Sequence, residues 1–216
     1  MLFAAASVIA CGLLVGSRAL GLDGLAAAAK VAASTAFLLT AWTAGALGSR
    51  YGRGVLTGLV LSWFGDLFLI GDGSRWFLAG LVAFLAAHIA YIGAFAGRGL
   101  ADRWLFAALA PVAVVSLGAV IWLAPHLPEG MIVPVRIYTF VISLMVVTAF
   151  GARGAGAPLL VPAGASLFYL SDLSVAALAF TDSVFPHYVW GLPFYYTGQL
   201  LLALSTARAS DEEETA

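Results

Sequence analysis

Residues 61–71 read LSWFGDLFLIG, an apolar segment with one carboxylate, Asp66, in its middle. Residues 166–174, which read SLFYLSDLS, repeat this design around Asp172. In both segments an aromatic residue stands three positions before the aspartate and a leucine follows it. An ionisable group inside a hydrophobic span costs about 2.5–3.5 kcal/mol even on the lenient insertion scale. Two such costs indicate a function for both aspartates, and we interpret the rest of the chain as the frame that holds them.

The composition is that of an integral membrane protein. Of the 216 residues, 62% are hydrophobic and only 10% are charged, whereas a soluble domain carries about 25% charged residues. The mean hydropathy is +1.02. The net charge is −1 and the ten Lys and Arg residues are scattered, which argues against a nucleic-acid partner. The single Cys11 cannot form an internal disulfide.

Eight apolar segments, separated by short polar breaks, predict an all-α bundle of about eight transmembrane helices. Most segments reach the roughly 20 residues that cross a hydrocarbon core, and their continuous apolar character disfavours strands. We predict a single transmembrane domain over residues 1–206 and a short, solvated acidic tail over residues 207–216. The predicted segments are residues 2–20, 25–47, 55–70, 76–96, 104–123, 131–150, 158–180 and 187–205.

The loop charges predict the orientation. Arginines concentrate in the loops after the second, fourth and sixth segments and in the C-terminal flank, and they are Arg50, Arg53, Arg98, Arg103, Arg153 and Arg208. Because positive residues favour the cytoplasmic side, we predict that both termini are cytoplasmic in a cell or inner membrane.

This topology predicts that five ionisable side chains, each from a different helix, share a depth in the outer half of the bundle. Asp66, for example, lies four residues before the predicted end of its helix, roughly 6 Å in at 1.5 Å per residue. Packing residues are not expected to share a depth, so the set predicts one site, with both aspartates facing one cavity. The five residues are Lys30, Asp66, His88, Arg136 and Asp172.

Structural interpretations compete at these positions. Each aspartate could be neutralised by an ion pair with Lys30 or Arg136 and have no chemical role. His88 could be a buried histidine that donates to a carbonyl. Tyrosines such as Tyr138 and Tyr195 could belong to an aromatic belt or to the core. Three Gly-x-x-x-Gly pairs predict close helix contacts, and they begin at Gly12, Gly54 and Gly93.

Several segments together carry a resemblance to a known family. They are Lys30 early in the second helix, the Gly65-Asp66 segment, residues 80–91 (GLVAFLAAHIAY), residues 134–138 (PVRIY) with Met145, and residues 164–172 (GASLFYLSD). This array resembles the YhhN family of membrane proteins, which includes the TMEM86 lysoplasmalogenases. The resemblance extends over residues 30–199.

The resemblance implies hydrolysis of the vinyl ether bond of lysoplasmalogens, which releases a fatty aldehyde and a glycerophospho-base. Such a bond is hydrolysed by protonating its β-carbon, which leaves an oxocarbenium ion for water to capture. That chemistry needs a protonated carboxylic acid and a nearby carboxylate, the catalytic roles expected for Asp66 and Asp172. Burial and a neighbouring carboxylate favour the protonated form, whereas a cation favours the ionised form. The sequence leaves open which aspartate is the acid.

The expected substrate is a lysophospholipid, with no metal or other cofactor and with membrane lipids as the other partners. Lys30 or Arg136 could hold the phosphate, since arginine is suited to bidentate contact. His88 and Tyr91 would orient water or the glycerol hydroxyl. Tyr138 and Ser171 complete the candidate substrate-binding set.

The single apolar chain of such a substrate predicts an elongated apolar slot. We expect the slot to lie below the polar cluster, to open toward lipid or the outer surface, and to give most of the binding energy, at about 0.8 kcal/mol per buried CH₂. Its expected lining includes Phe64, Phe84, Phe140 and Phe168.

Three alternatives stay open. A proton-coupled transporter of small molecules or lipids could use the same buried carboxylates as a relay, although neither broken helices nor an inverted repeat is apparent. An intramembrane aspartyl protease also uses two carboxylates, but Lys30 and Arg136 would disturb that pair. A zinc hydrolase is the weakest alternative, because three dispersed histidines give no metal-binding spacing.

Overall fold

The protein is described here by a computed structural model that covers residues 1–181, 186 and 188–214, with side chains described through residue 207. His187, at the predicted start of the eighth helix, lies outside the described residues.

Eight α-helices make up the described part of the chain, which contains no strand. All of them except α3 and α8 are long and apolar enough to cross a membrane. The all-helical prediction is therefore confirmed, and the chain is a multi-pass membrane protein. The helices are α1 (Leu2–Ala19), α2 (Asp23–Thr43), α3 (Arg50–Phe68), α4 (Ser74–Ala96), α5 (Asp102–Leu123), α6 (Ile132–Gly154), α7 (Leu160–Phe180) and α8 (Tyr188–Glu214).

Two helices, α3 and α8, extend furthest beyond the apolar segments that predicted them. α3 begins at Arg50 because Ser49 caps it, its side chain accepting a hydrogen bond of 2.8 Å from the backbone N–H of Gly52. α8 continues to Glu214, through residues predicted to form a tail. The added segment contains Ala, Arg and Glu, which favour helix, and no Gly or Pro. Hydropathy marks only the apolar part of such helices.

Consecutive helices pack as pairs, α1 with α2, α3 with α4, α5 with α6 and α7 with α8. α8 also packs against α1, α2 and α3, so that it lies inside the bundle, and Tyr196, Gln199 and Leu202 on it are almost fully buried. α5 lies at the edge, against α6 and a small part of α7. Its outward side chains are exposed, with Phe106 and Val114 each at 72%. An apolar surface of this kind suits contact with lipid.

Glycine brings α3 and α4 into close contact. A Cβ atom at Gly58 would lie 2.5 Å from the ring of Tyr91, and one at Gly54 would lie 2.9 Å from the Cβ of Ala94. The predicted close contact is therefore confirmed for this pair. The same prediction is wrong for three other glycines, which have open space around the Cβ position, namely Gly12, Gly16 and Gly93.

Candidate functional site

One cavity of about 140 Å³ receives side chains from α2 through α8. Asp66 at the end of α3 and Asp172 in α7 both line it, together with Lys30 of α2. Apolar residues form most of the remaining wall, including Leu81 and Phe84 of α4. The structure thus brings the two aspartates to a single apolar-walled space.

Asp66 is held by one cation and two hydroxyl groups. The Nζ of Lys30 lies 3.4 Å from Oδ1, while Ser34 and Tyr195 donate to Oδ2 at 2.5 and 2.9 Å. Lys30 and Asp66 are both buried, at 7% and 3% exposure. A buried ion pair is tolerated only when further hydrogen bonds satisfy the charges, and both hydroxyl groups fulfil that need for Asp66.

Helix geometry explains this grouping. Lys30 and Ser34 lie one turn apart on the same face of α2. The backbone of α2 also takes part, since the Ser34 hydroxyl lies 2.9 Å from the carbonyl of Lys30. Tyr196, next to Tyr195 on α8, lies 3.4 Å from the same carbonyl. Three helices are therefore joined at the carboxylate of Asp66.

Asp172 has different surroundings. The hydroxyl of Tyr138 on α6 donates to its Oδ2 at 2.5 Å, and the hydroxyl of Ser171 lies 3.5 Å from Oδ1. Ser171 forms a shorter bond, 2.7 Å, to the carbonyl of Phe168. No lysine or arginine whose side chain the structure describes comes within ion-pair distance of Asp172. Asp172 therefore lacks the cation that Asp66 has.

His88 lies directly behind Asp172. Its Nε2 is 3.8 Å from the Oδ2 of Asp172, too long for a hydrogen bond. The ring is fully buried and packs against Tyr138 and Phe168, with centroids 5.2 and 4.7 Å apart. Neither ring nitrogen has a hydrogen-bond partner among the described residues. His88 therefore lies beside Asp172 with both ring nitrogens unpaired among the described residues.

Three candidate residues do not line the cavity, namely His88 behind Asp172, Tyr91 and Arg136. Tyr91 is fully buried and donates a 2.7 Å hydrogen bond to the amide oxygen of Gln199, which ties α4 to α8. Arg136 is exposed on α6, although Val135 beside it lines the cavity. Of the five ionisable side chains expected to converge, the structure brings together four and leaves Arg136 outside.

Of the four phenylalanines predicted to line the slot, only one lies on the cavity wall. Phe84 lines the cavity, and Phe168 is fully buried and packs against Phe84 and His88. Phe64 and Phe140 are 42% and 69% exposed. The prediction is wrong for these two because their helices turn them toward the outer surface.

Comparison with known proteins identifies the family of the chain. The sequence model of the YhhN family matches residues 25–206, most of the chain and all of the site residues. The chain belongs to the YhhN family. No solved structure matches this YhhN chain.

Curated relatives share the family. A protein of Mycobacterium bovis named lysoplasmalogenase is 38% identical over 152 residues, which cover 68% of this YhhN chain and 58% of that protein. Human lysoplasmalogenase TMEM86A is 32% identical, with coverage of 74% and 68%. Human lysoplasmalogenase TMEM86B is 33% identical, with coverage of 70% and 62%. The match thus spans less than two thirds of the mycobacterial relative.

Two partners of Asp66 in this YhhN chain were not among the candidates, Ser34 and Tyr195. Ser34 had a signal, because it follows Lys30 by four residues and so shares its helix face. Tyr195 had no such signal in the sequence. In an apolar helix, a tyrosine that reaches a carboxylate looks the same as a tyrosine in the core.

The described residues of the YhhN chain contain no group of three or more His, Cys, Asp or Glu side chains placed to hold a metal ion. No metal-ligand cluster in that part of the chain therefore supports the zinc-hydrolase alternative.

Proposed function

We propose that this YhhN protein is a lysoplasmalogenase, which hydrolyses the vinyl ether bond of a lysoplasmalogen to a fatty aldehyde and a glycerophospho-base. The observation that carries the proposal is the pair of carboxylates, from α3 and α7, on one apolar-walled cavity. The reaction needs one carboxyl group that donates a proton and one that remains ionised. The relatives named above are lysoplasmalogenases, which supports the same activity.

The contrast between the two aspartates suggests their roles. We assign Asp172 as the proton donor, because no described cation stabilises its carboxylate. Asp66, paired with Lys30 at 3.4 Å, is assigned as the carboxylate that remains ionised.

The proposed reaction begins when Asp172 transfers its proton to the β-carbon of the vinyl ether. The double bond is consumed and an oxocarbenium ion forms, whose positive charge the Asp66 carboxylate stabilises. Water adds to the α-carbon, and its proton restores Asp172. The resulting hemiacetal breaks its C–O bond to the glycerol, which gives the aldehyde and the free alcohol. Vinyl ether and water account for all atoms of the products, so water is the only co-substrate.

The remaining candidates are proposed to bind substrate. Lys30 at the cavity wall and Arg136 outside it are available to the phosphate. His88 and Ser171, next to Asp172, would orient water, and Tyr138 would fix the carboxyl group that it donates to. Tyr91 has a supporting place, because its bond to Gln199 holds α4 against α8.

The membrane arrangement is part of the proposal. We infer that all eight helices cross the membrane and that both termini are cytoplasmic, in a cell or inner membrane. The packing of α3 against α4, and of α8 against four other helices, supports their place in the bundle. The arginine-rich loops support the orientation.

A direct assay tests the function. The purified protein is incubated with a lysoplasmalogen and, separately, with its saturated ether analogue, and aldehyde is measured. We expect aldehyde and glycerophospho-base in equal amounts from the vinyl ether and neither from the analogue. A folded protein that releases no aldehyde would contradict the proposal. The transporter alternative has no support among the relatives named above, and we do not propose it.

A further inference from the structure

A second cavity, of about 360 Å³, lies between α5, α6 and α7 and has no part in the reaction described above. Its wall is almost entirely apolar, with Trp104 near the start of α5 and Phe150 toward the end of α6. Tyr169 of α7 lines both this cavity and the one that holds the aspartates. The two spaces are therefore neighbours.

One face of α5 lines both cavities. Val112 and Val115 face the second cavity, and Ala119 and Leu123 face the first. Ser116 lies between the two pairs in the chain. The four lining positions follow one another at intervals of three or four residues, and Ser116 lies four residues after Val112 and three before Ala119, which places all five on a single helix face. The cavities thus lie end to end along α5.

α6 shows the same order in the opposite chain direction. Tyr138 and Ile142 face the first cavity, and Val146 and Phe150 face the second. Ser143 lies between the two pairs. Along both helices, starting from the end at the first cavity, the residues that line the first cavity come first, the serine comes next and the residues that line the second cavity come last. The two spaces therefore share one axis.

Three hydroxyl groups separate the cavities, and we call them the hydroxyl partition: Ser116, Ser143 and Tyr169. The Oγ of Ser116 lies 2.6 Å from the Oγ of Ser143 and 3.0 Å from the hydroxyl oxygen of Tyr169. Tyr169 precedes Asp172 by three residues, so the partition is one helical turn from the proposed proton donor.

We propose that the second cavity binds the hydrocarbon chain of a single-chain lipid whose polar end occupies the first cavity. This inference rests on the proposed function. From Trp104 to Leu123 the lining of α5 extends roughly 28 Å at 1.5 Å per residue, which is long enough for a lipid chain. The vinyl ether lies between the polar end and the chain, so a chain that passes the hydroxyl partition leaves that bond beside Asp172.

The occupant is argued from polarity and continuity. The first cavity has polar side chains on its wall, including Tyr138 and Ser171 beside the two aspartates, which suit the glycerol end of such a lipid, whereas the second offers mostly carbon. A bulk diacyl lipid could fill an apolar groove, but the single axis that the two cavities share offers a path for only one of its two chains. The axis shared by both cavities therefore favours a lipid with one chain.

A pair of matched variants tests the chain site. Ala108 of α5 is 5% exposed and lines the second cavity, whereas Ala110 on the same helix is exposed and does not. Binding of saturated ether lysolipids with eight-carbon and sixteen-carbon chains is measured for the wild type, Ala108→Phe and Ala110→Phe. Each buried methylene contributes about fourfold in affinity, so blocking several should lower the sixteen-to-eight affinity ratio about tenfold or more.

We expect that loss in Ala108→Phe only. An unchanged ratio in folded Ala108→Phe, or an equal loss in Ala110→Phe, would overturn the proposal. Comparing ratios within one detergent removes the effect of chain length on micelle partition.

A measurement on the wild type keeps the test independent of how Ala108→Phe folds. A sixteen-carbon ether lysolipid with a photoreactive diazirine at the chain end is bound and irradiated, and the labelled peptides are identified. We expect label on α5 and α6 around Trp104 and Phe150 that excess unlabelled lysolipid displaces and diacyl lipid does not. Label spread evenly over the bundle, or displaced equally by diacyl lipid, would overturn the proposal.

These saturated ethers contain no vinyl group, so both readouts report binding alone. If the chain site exists but no aldehyde forms from a lysoplasmalogen, the chain-binding inference stands and the proposed reaction fails. If aldehyde forms without the predicted chain-length effect or labelling, the reaction stands and the chain site fails.

Discussion

Lys30 and Ser34 reach the carboxylate of Asp66 from one face of α2, whereas Asp172 has a hydroxyl donor, Tyr138, and a histidine at 3.8 Å. The two aspartates look alike in sequence, each with an aromatic residue three positions earlier. Their neighbours in space set them apart, one in an ion pair and the other without a described lysine or arginine. The proposed division between carboxylate and proton donor follows from that difference.

Replacing the proposed proton donor should stop the reaction with little effect on the fold. Asp172→Asn keeps an oxygen that can accept from Tyr138 but cannot donate a carboxyl proton. A general acid contributes roughly 10²–10⁴-fold to rate, so aldehyde release should fall at least about a hundredfold. Asp72→Asn, in the exposed turn after α3, is the matched control and should keep its rate. Wild-type turnover in Asp172→Asn would remove Asp172 from the chemistry.

The Lys30–Asp66 pair should also stabilise the fold. A double variant distinguishes this stabilising role from the catalytic role of Asp66. Breaking a buried pair by removing one partner costs about 3–5 kcal/mol. Lys30→Met and Asp66→Asn should therefore each lower the thermal midpoint, and the double variant should lose less than the sum of the two losses. The double variant should still release no aldehyde. If the double variant regained stability and also released aldehyde, Asp66 would have a structural role only.

Position along the helix axis could be predicted from the sequence, but rotation about that axis could not. Position along each helix correctly grouped Lys30, Asp66, His88 and Asp172. It failed for Arg136, because one residue changes the direction of a side chain by about 100° and a uniformly apolar helix does not reveal its inner face. Phe64 and Phe140 were misplaced for the same reason.

At the scale of the elements, α3 and α4 depend on a glycine. Gly58→Ala would place a methyl group 2.5 Å from the ring of Tyr91, and overpacking of this kind costs about 1–3 kcal/mol. Gly16→Ala on α1 meets open space and should gain up to about 1 kcal/mol of helix propensity. Thermal unfolding in one detergent should therefore show a lower midpoint for Gly58→Ala and an equal or higher one for Gly16→Ala. Equal midpoints would mean that the α3–α4 contact yields easily.

Hydropathy could not predict where the helices begin and end. The apolar run indicated a start at residue 55 for the third helix, but the Ser49 cap begins α3 at Arg50. A capping residue followed by arginines resembles a loop when only hydrophobicity is read. The apolar centres of all eight helices were correctly located.

At the scale of the whole molecule, the proposed orientation predicts which loops face each side of the membrane. Cys11 is buried in α1 and is replaced by serine to give a background without cysteine. Single cysteines are then introduced at Asp72, between α3 and α4, and at Leu100, between α4 and α5, both of which are exposed. Intact cells are treated with a membrane-impermeant maleimide.

Asp72→Cys should be labelled on intact cells, and Leu100→Cys only after permeabilisation. The opposite pattern would reverse the proposed orientation, and equal labelling of both would contradict a membrane crossing by α4.

The ion pair between α2 and α3 also bears on how the chain enters the membrane during synthesis. α3 carries Arg50, Arg53 and Asp66 and is not among the helices apolar enough to cross on their own. Lys30 emerges from the ribosome before Asp66, and each charge alone opposes insertion by about 2.5–3.5 kcal/mol. Once both have emerged, each neutralises the other. We therefore expect the translocon to release α2 and α3 together as a hairpin, and Lys30→Met, which leaves Asp66 without its partner, to leave α3 poorly inserted.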